Sequence, residues 1–357
     1  MSQTDAAPAR VDFGHRTLVL RRGGAALRWR LRTVLVCAAL GLLTLGVAVW
    51  SLCVGEYPLS LEQVWTALID APDAGFARTV VVEWRAPRIV AAIAFGAALG
   101  ASGAIFQSLT RNPLASPDII GFSAGSYTGA LVVIILIHGT YLELAGGAVI
   151  GGMATAAVVY LLAWRRGMHG FRLIIVGIAV SAMLGSFNTW LLLSADLEVA
   201  MSAAAWGAGS LSGTGWTQAF AGTVIIGMLL VVVAALAPGL RQLELGDDAA
   251  KATGIRTGPT RLWLIITGVA LVAVVTAAAG PITFVALAAP QIARRVARTP
   301  GVTVAPAAVM GALMLAGADL IAQHALPVAL PVGVVTVVLG GAYLVWLIIG
   351  EVRRRHV

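Results

Sequence analysis

The distribution of charge along the chain limits what this protein can fold into more than any other feature of its sequence. Long stretches without one charged residue recur between residues 33 and 350. Most of them are close to the ~20 residues that an α-helix needs to cross a bilayer. Only 11% of the 357 residues are charged, whereas soluble domains contain about a quarter. The sequence therefore predicts an all-α membrane protein with many spans.

The charge-free stretches predict ten transmembrane helices. One stretch, 262–293, is too long for a single span, and Gly280-Pro281 divides it because this pair interrupts helices. Both tails are basic, so both termini are expected in the cytoplasm and the number of spans is even. The predicted parts are a basic tail at 1–30, a ten-helix domain at 31–350 and a basic tail at 351–357. The predicted spans are 33–54, 89–110, 119–137, 145–164, 173–194, 217–237, 262–279, 282–296, 302–318 and 320–350.

The basic residues agree with this topology. Only three of the 24, Arg78, Arg85 and Arg88, fall on the outer side of the ten-span arrangement. Such an excess of Lys and Arg on one side is typical of cytoplasmic loops.

Two outer segments are expected to be helical. Ser60-Leu-Glu-Gln63 has the spacing of a capping box and predicts a short amphipathic helix on the membrane surface. Residues 195–216 predict a second short helix followed by a turn.

The longest polar insert on the predicted cytoplasmic side lies at about 238–261. Within it, Asp247 is expected to be a helix N-cap, Asp248 to lie in the first turn, and Gly254 to end the helix. A helix of two turns is too short to be stable alone, so it has to pack against another structure. The alternative is an ordinary solvated loop between two spans.

Several classes of function lack their sequence signals. There is no Gly-x4-Gly-Lys-[Ser/Thr] motif, and the chain's only lysine, Lys251, follows Ala250, so ATP hydrolysis by this chain is not expected. His-Glu-x-x-His is also absent, which leaves an intramembrane enzyme with weak support. The basic residues are dispersed, so no nucleic acid partner is predicted. The two cysteines share one apolar segment, and no metal site is expected.

The predicted spans also lack the charges that ion-coupled carriers place near mid-bilayer. Only Asp319 and His324 come near the membrane interior, and the predicted boundaries place both at an outer helix end. This pattern favours a transport protein that is energised by a partner. A secondary carrier remains the alternative from another class.

Arg85 and Arg88 are candidates for binding an external partner. They lie on the outer side, against the general charge bias, in Glu83-Trp-Arg-Ala-Pro-Arg88. Arginine binds carboxylates through two parallel hydrogen bonds, so acidic residues of an external protein are the expected ligands. The alternative is an interfacial pair of arginines that Glu83 neutralises.

Polar and small residues also mark the inner side and the fifth span. Asn112-Pro-Leu-Ala-Ser-Pro-Asp118 predicts a tight cytoplasmic turn, and glycines at 121, 125 and 129 favour close helix packing after it. Two interpretations of the fifth-span residues stay open, a lining of the transport pathway or hydrogen bonds within the bundle. These residues are Ser181, Ser186, Asn188 and Thr189.

Six motifs carry a resemblance to a known family. They are Arg85-x-Pro-Arg88, Ser102-Gly-Ala-Ile-Phe-Gln107, Arg111-Asn-Pro-Leu-Ala115, Leu245-Gly-Asp-Asp-Ala249, Ala279-Gly-Pro-Ile282 and Leu330-Pro-Val-Gly-Val-Val-Thr336. Over roughly residues 31–350 the chain resembles the permease subunits of ABC importers for iron-siderophores, haem and vitamin B12, of the FecCD type. Within that family it is most similar to ferric-enterobactin permeases at Val82–Arg85, Phe171–Ile175, Phe187–Leu193 and Ala208–Leu211.

The resemblance implies a multi-pass subunit of the cytoplasmic (inner) membrane that works with several partners. Two permease subunits would surround a central path, with two cytoplasmic ATPase subunits that use ATP and an external substrate-binding protein. The second permease is expected to be similar but not identical, which would make the pair a heterodimer. This chain itself would bind no cofactor. The cargo would be a ferric siderophore, with an enterobactin-like catecholate first and haem or cobalamin as alternatives.

The resemblance also implies roles for individual residues. Arg85 and Arg88 would receive acidic residues of the binding protein, and Asn112, Pro113 and Leu114 would lie near the inner gate. The sequence departs from the family pattern at Gln291, where histidine is usual, and at Ala329, where many members have an acidic residue. The residues seated in the ATPase would be Leu245, Gly246, Asp247, Asp248, Ala250, Lys251 and Gly254.

Overall fold

A computed structural model describes residues 17–22, 25–71, 75–163, 170–325 and 327–355. A β-hairpin precedes the helices. Its strands, β1 (Thr17–Arg22) and β2 (Ala25–Arg30), pair antiparallel with Thr17 opposite Arg30. The hairpin lies in a segment for which the sequence predicts only a basic tail.

Fourteen helices follow within the described residues. The first seven are α1 (Leu31–Cys53), α2 (Leu61–Leu68), α3 (Gly75–Arg78), α4 (Ala86–Thr110), α5 (Phe122–Val132), α6 (Tyr141–Ala163) and α7 (Gly170–Ser194). The others are α8 (Leu197–Gly207), α9 (Trp216–Glu244), α10 (Asp247–Ala252), α11 (Thr257–Ala279), α12 (Val285–Ala297), α13 (Val304–His324) and α14 (Val332–Arg355). A π-helical segment, Thr79–Arg85, joins α3 to α4, and another, Val133–Ile137, extends α5.

Seven of these helices are long and apolar enough to cross a membrane, which confirms the predicted all-α membrane class. They are α1, the continuous α3–α4 helix, α6, α7, α9, α11 and α13. Two shorter apolar segments, Phe122–Ile137 and Val332–Trp346, and the short helix α12, which ends with Arg294 and Arg295, overlap the remaining predicted spans.

Close backbone contacts build the centre of the bundle. A Cβ added to Gly100 of α4 would lie 2.1 Å from the carbonyl oxygen of Ala307 in α13. A Cβ on Gly129 of α5 would lie 2.0 Å from the carbonyl oxygen of Gly147 in α6. Glycine therefore lets these helices touch through their backbones, as predicted for the glycines after the inner turn.

Several predicted local features are confirmed. The Ser60 hydroxyl accepts a hydrogen bond from the backbone of Gln63, and the Gln63 side chain accepts one from the backbone of Ser60, which completes the capping box of α2. The second short helix is α8. The Gly280-Pro281 break separates α11 from α12.

The predicted boundary between the last two spans is wrong. The sequence analysis ends the ninth span at residue 318 because Asp319 is charged, but α13 continues to His324 and α14 begins only at Val332. Asp319 lies inside α13 and is buried. It can be buried because the guanidinium of Arg88 neutralises it, with Nη2 to Oδ1 at 2.7 Å.

Candidate coupling and gating site

The predicted cytoplasmic helix is present as α10, and its N-terminus differs from the prediction. The N-cap is Gly246, with φ of 121°, and not Asp247. Glycine adopts this backbone conformation without steric cost. Asp247 and Asp248 therefore both lie in the first turn, where acidic side chains interact favourably with the helix dipole. Gly254, with φ of 84°, follows the helix end as predicted.

Asp247 fixes α10 to the start of α11. Its carboxylate accepts hydrogen bonds from Nη2 and Nη1 of Arg261 at 2.7 and 3.3 Å. The hydrogen bond from Arg261 lowers the pKa of Asp247, burial opposes it, and the positive charges of Arg261, Arg111 and Lys251 add to the lowering. Asp247 therefore remains ionised and paired at neutral pH.

The other side of α10 is exposed, and so is Leu245, which lies between α9 and α10. Leu245 has 71% of its surface exposed, and the charged groups of Asp248 and Lys251 are both exposed and lie 3.7 Å apart. Ala250 is fully buried in the largest hydrophobic cluster. The predicted coupling residues thus divide into an anchoring pair, Asp247 and Ala250, and an exposed set, Leu245, Asp248 and Lys251.

Two polar contacts connect the end of α9 to the end of α4. The hydroxyl of Ser108 donates a hydrogen bond to Oε1 of Glu244. Nη2 of Arg111 donates to the carbonyl oxygen of Leu243 at 3.0 Å. Neither contact is predicted from the sequence. Glu244, a charge directly before the predicted coupling residues, was the available signal.

The predicted gate residues form one tight turn that directly follows α4. Oδ1 of Asn112 accepts a hydrogen bond from the backbone nitrogen of Leu114 at 2.9 Å, so the side chain closes the turn on itself. Pro113 and Leu114 are exposed, Leu114 by 47%. The turn therefore presents an apolar surface, and its role in a gate stays a prediction.

Asp118, at the far end of this turn, makes a bridge that the sequence analysis does not predict. Its Oδ1 accepts a hydrogen bond from the Ser123 hydroxyl at 2.8 Å, and its Oδ2 accepts one from the backbone nitrogen of Phe284 at 3.3 Å. Phe284 is the N-cap of α12. Asp118 thus joins the segment between α4 and α5 to the short helix after the Gly280-Pro281 break.

The candidate pathway residues on α7 have different surroundings. Asn188 is buried and accepts a hydrogen bond from the Thr128 hydroxyl of α5 at 2.7 Å. Ser181 packs beside Gly121, where an added Cβ would lie 3.1 Å from the Ser181 Cβ. Thr189 is exposed, and its hydroxyl donates to a carbonyl of its own helix. Ser181 and Asn188 therefore contact α5, whereas Thr189 lies on an uncovered face of this chain.

Both outer arginines have partners within the chain. The guanidinium of Arg85 donates to the carbonyl oxygens of Leu52 and Tyr57, each at 2.7 Å. The guanidinium of Arg88 donates through Nε and Nη2 to both carboxylate oxygens of Asp319. An external partner would have to compete with these contacts, and the docking role of both arginines stays a prediction.

No cluster suited to a metal ion is found in the described parts of the chain, where a group of three or more His, Cys, Asp or Glu side chains would be needed. Cys37 and Cys53 are free thiols.

The fold and the family together give the class of the protein. A bundle of membrane-length helices with a short polar helix between two of them fits the membrane subunit of an ABC importer. The chain belongs to the FecCD transport family, which it matches over residues 42–350.

Individual relatives agree with this class. The chain is 48% identical over 326 residues to the ferric enterobactin transport system permease protein FepG of Escherichia coli K12, covering 91% of this chain and 98% of the relative. It is 36% identical over 350 residues to the achromobactin transport system permease protein CbrC of Dickeya dadantii, covering 95% and 97%. These relatives are transport subunits, and this chain is a transport component and not an enzyme.

The fold also matches a solved structure. A chain of a metal-chelate type ABC transporter in an inward-facing conformation superposes with a TM-score of 0.77 at 26% identity. The match covers 88% of this chain and 99% of that chain.

Proposed function

We propose that this protein is the membrane subunit through which a ferric siderophore, of the enterobactin-like catecholate class, enters the cytoplasm. The observation that carries the proposal is the 48% identity, over 98% of its length, to a relative named a ferric enterobactin permease. Haem and cobalamin are the alternative cargoes.

The partners follow from the class. A cytoplasmic ATPase dimer supplies the energy from ATP, an external substrate-binding protein delivers the chelate, and a second, non-identical permease completes the path. This chain holds no cofactor of its own. The proposed location is the cytoplasmic (inner) membrane, with ten spans and both termini inside. Seven long apolar helices, two shorter apolar segments and α12 are the elements proposed to form the ten spans.

The division of α10 into two sets of residues suggests how it meets the ATPase. The exposed residues Leu245, Asp248 and Lys251 contact the partner, whereas Asp247 holds the helix on Arg261. The turn at Asn112–Leu114 lies at the inner gate.

Purification in mild detergent tests the partners. Tagged protein is isolated from its native membrane, and co-purifying chains are identified by mass spectrometry. A P-loop ATPase and a second permease of similar length are expected. Isolation of the protein alone, under conditions that preserve a known ABC importer, would contradict the proposal. Uptake that needs a proton gradient but no ATPase would establish a secondary carrier instead.

Substitution of α10 tests the coupling role. The double variant Asp247→Ala with Asp248→Ala is expected to reach the membrane in normal amount and to lose uptake, because the ATPase no longer drives the permease. The control is Glu198→Ala, an acidic residue in the first turn of α8. Normal uptake by the double variant would remove the coupling role.

A further inference from the structure

We propose that Ser108, Arg111 and Glu244 form the mechanical connection through which movement of α10 reaches the turn at Asn112–Leu114. They are positioning residues, since their effect on transport passes through other parts of the chain. The inference rests on the proposed function because it takes α10 as the helix that receives the ATPase.

The connection joins two junctions that are far apart in the sequence. Ser108 and Glu244 are separated by 136 residues, and Arg111 and Leu243 by 132. At one junction α4 ends and the inner turn begins directly after Arg111. At the other, α9 ends at Glu244 and α10 begins three residues later. The two hydrogen bonds therefore hold the coupling helix beside the predicted gate.

The Arg111 contact suits the chemistry of a helix end. The last carbonyl groups of an α-helix lack N–H partners and carry a partial negative charge. The Leu243 carbonyl at the end of α9 accepts a hydrogen bond from the backbone nitrogen of Gly246 at 3.3 Å. The guanidinium of Arg111 adds a second donor and a positive charge to it. Arg111 is also the C-cap of α4, with φ of 52°, so its backbone sets the direction in which the chain enters the inner turn.

The Ser108 contact is partly enclosed, because Ser108 is buried and Glu244 is half-buried. Ser108 has only 4% of its surface exposed. On its other side the Glu244 carboxylate faces Gly301, where an added Cβ would lie 3.0 Å from Oε2. A buried polar group that loses its partner is costly, so this contact fixes the spacing of α4 and α9.

The position of α10 completes the connection. Its exposed residues are free to bind a partner, while Asp247 holds it to Arg261 and Ala250 packs in the core. A partner that displaces the exposed face of α10 therefore displaces Leu243 and Glu244 as well. The two hydrogen bonds then carry this displacement to the end of α4.

The test is a comparison of ATP hydrolysis with transport. The complete importer, with its ATPase and second permease, is reconstituted in proteoliposomes and supplied with ferric enterobactin on the binding protein. Ser108→Ala, Glu244→Ala and Arg111→Ala are expected to assemble and to hydrolyse ATP like the wild type, with uptake reduced about tenfold, the usual size of a coupling between two sites.

Two further variants separate a connection from a general loss of structure. Glu244→Gln keeps an oxygen that accepts from Ser108, and it is expected to retain most of the uptake. The double variant Ser108→Ala with Glu244→Ala should lose no more uptake than either single variant, since both remove one contact.

Three outcomes would overturn the proposal. Wild-type uptake by Glu244→Ala would show that the contact transmits no movement. A parallel loss of assembled complex, ATP hydrolysis and uptake would show that the contact only stabilises the fold. A wild-type importer that assembles and hydrolyses ATP, yet imports no ferric chelate, would instead overturn the proposed function, and the connection with it.

Discussion

Arg88 and Asp319 form a buried ion pair between residues that lie 231 positions apart. Their side chains are 16% and 8% exposed. The sequence contains both charges, yet its hydropathy pattern predicts that Arg88 lies on the outer surface and that Asp319 lies at the end of a helix. Pairing across this distance depends on how α4 packs against α13, which no local pattern encodes.

The first prediction concerns this pair. Asp319→Ala leaves the Arg88 guanidinium buried without its partner, and the free energy of unfolding is expected to fall by about 3–5 kcal/mol. Thermal and denaturant unfolding of the purified protein in detergent measures the change. The double variant Arg88→Leu with Asp319→Leu should recover most of the loss.

A matched control is the ion pair of Arg78 with Asp70. Its side chains are 43% and 70% exposed. Asp70→Asn removes the charge and keeps a residue that tolerates the left-handed backbone at φ of 55°, so it is expected to change the stability by less than about 1 kcal/mol. Equal effects of Asp70→Asn and Asp319→Ala would show that the Arg88 pair is not enclosed as described.

A second prediction concerns pH. Because Arg261 lowers the pKa of Asp247 below its ordinary value of 3.8, the stabilisation is complete above the pKa of the unfolded carboxyl. It disappears only as the pH falls through the lower pKa of the folded state. The difference in melting temperature between the wild type and Asp247→Asn is therefore expected to be constant from about pH 8 to pH 5. A difference that already shrinks near pH 6 would contradict it.

At the scale of helices, the sequence predicts the elements that local patterns determine. It does not predict the helix boundaries and caps that depend on side chains from other parts of the chain. Charge-free stretches, the Ser60 capping box and the Gly280-Pro281 break each indicate an element that is present. The α13–α14 boundary is missed because a paired charge can lie inside a helix. Gly246 replaces Asp247 as the cap of α10 because Asp247 is paired with Arg261.

Glycine contacts between helices give a third prediction. A Cβ at Gly311 of α13 would lie 2.1 Å from the carbonyl oxygen of Gly96 in α4, whereas a Cβ at Gly317 of the same helix meets nothing within 4 Å. Gly311→Ala is expected to force α4 and α13 apart and to destabilise the protein by about 1–3 kcal/mol. Gly317→Ala should be neutral or slightly stabilising, since alanine favours helix. Melting temperatures of the two variants in detergent decide the matter, and equal values would refute the contact.

At the scale of the whole molecule, the proposed topology depends most on contacts between residues that are far apart in the sequence. The class of membrane protein follows from composition, but the crossing of the three short segments depends on neighbours that shield them. α12 is the clearest case, because its 13 residues are too few to span a bilayer unaided.

The fourth prediction tests this topology. Green fluorescent protein fused after Val357 is expected to fluoresce, because it folds into its fluorescent form in the cytoplasm. Alkaline phosphatase inserted after Val328 is expected to be active, because it needs the outer side of the membrane. An enzyme that is inactive at Val328, in a fusion that is present in full amount, would contradict an outer connection between α13 and α14. A phosphatase fusion within the turn at Asn112 is the inactive control.

The glycine contacts described above have a consequence for how such a molecule can move. Gly96 and Gly100 bring α4 against α13, and Gly129 and Gly151 bring α5 against α6, mainly through backbone atoms, which leave little to rearrange. Each pair of helices therefore moves as one rigid unit. A path therefore has to open and close at the interfaces between these rigid pairs. There, side chains and single hydrogen bonds make the contact, as between Thr128 and Asn188.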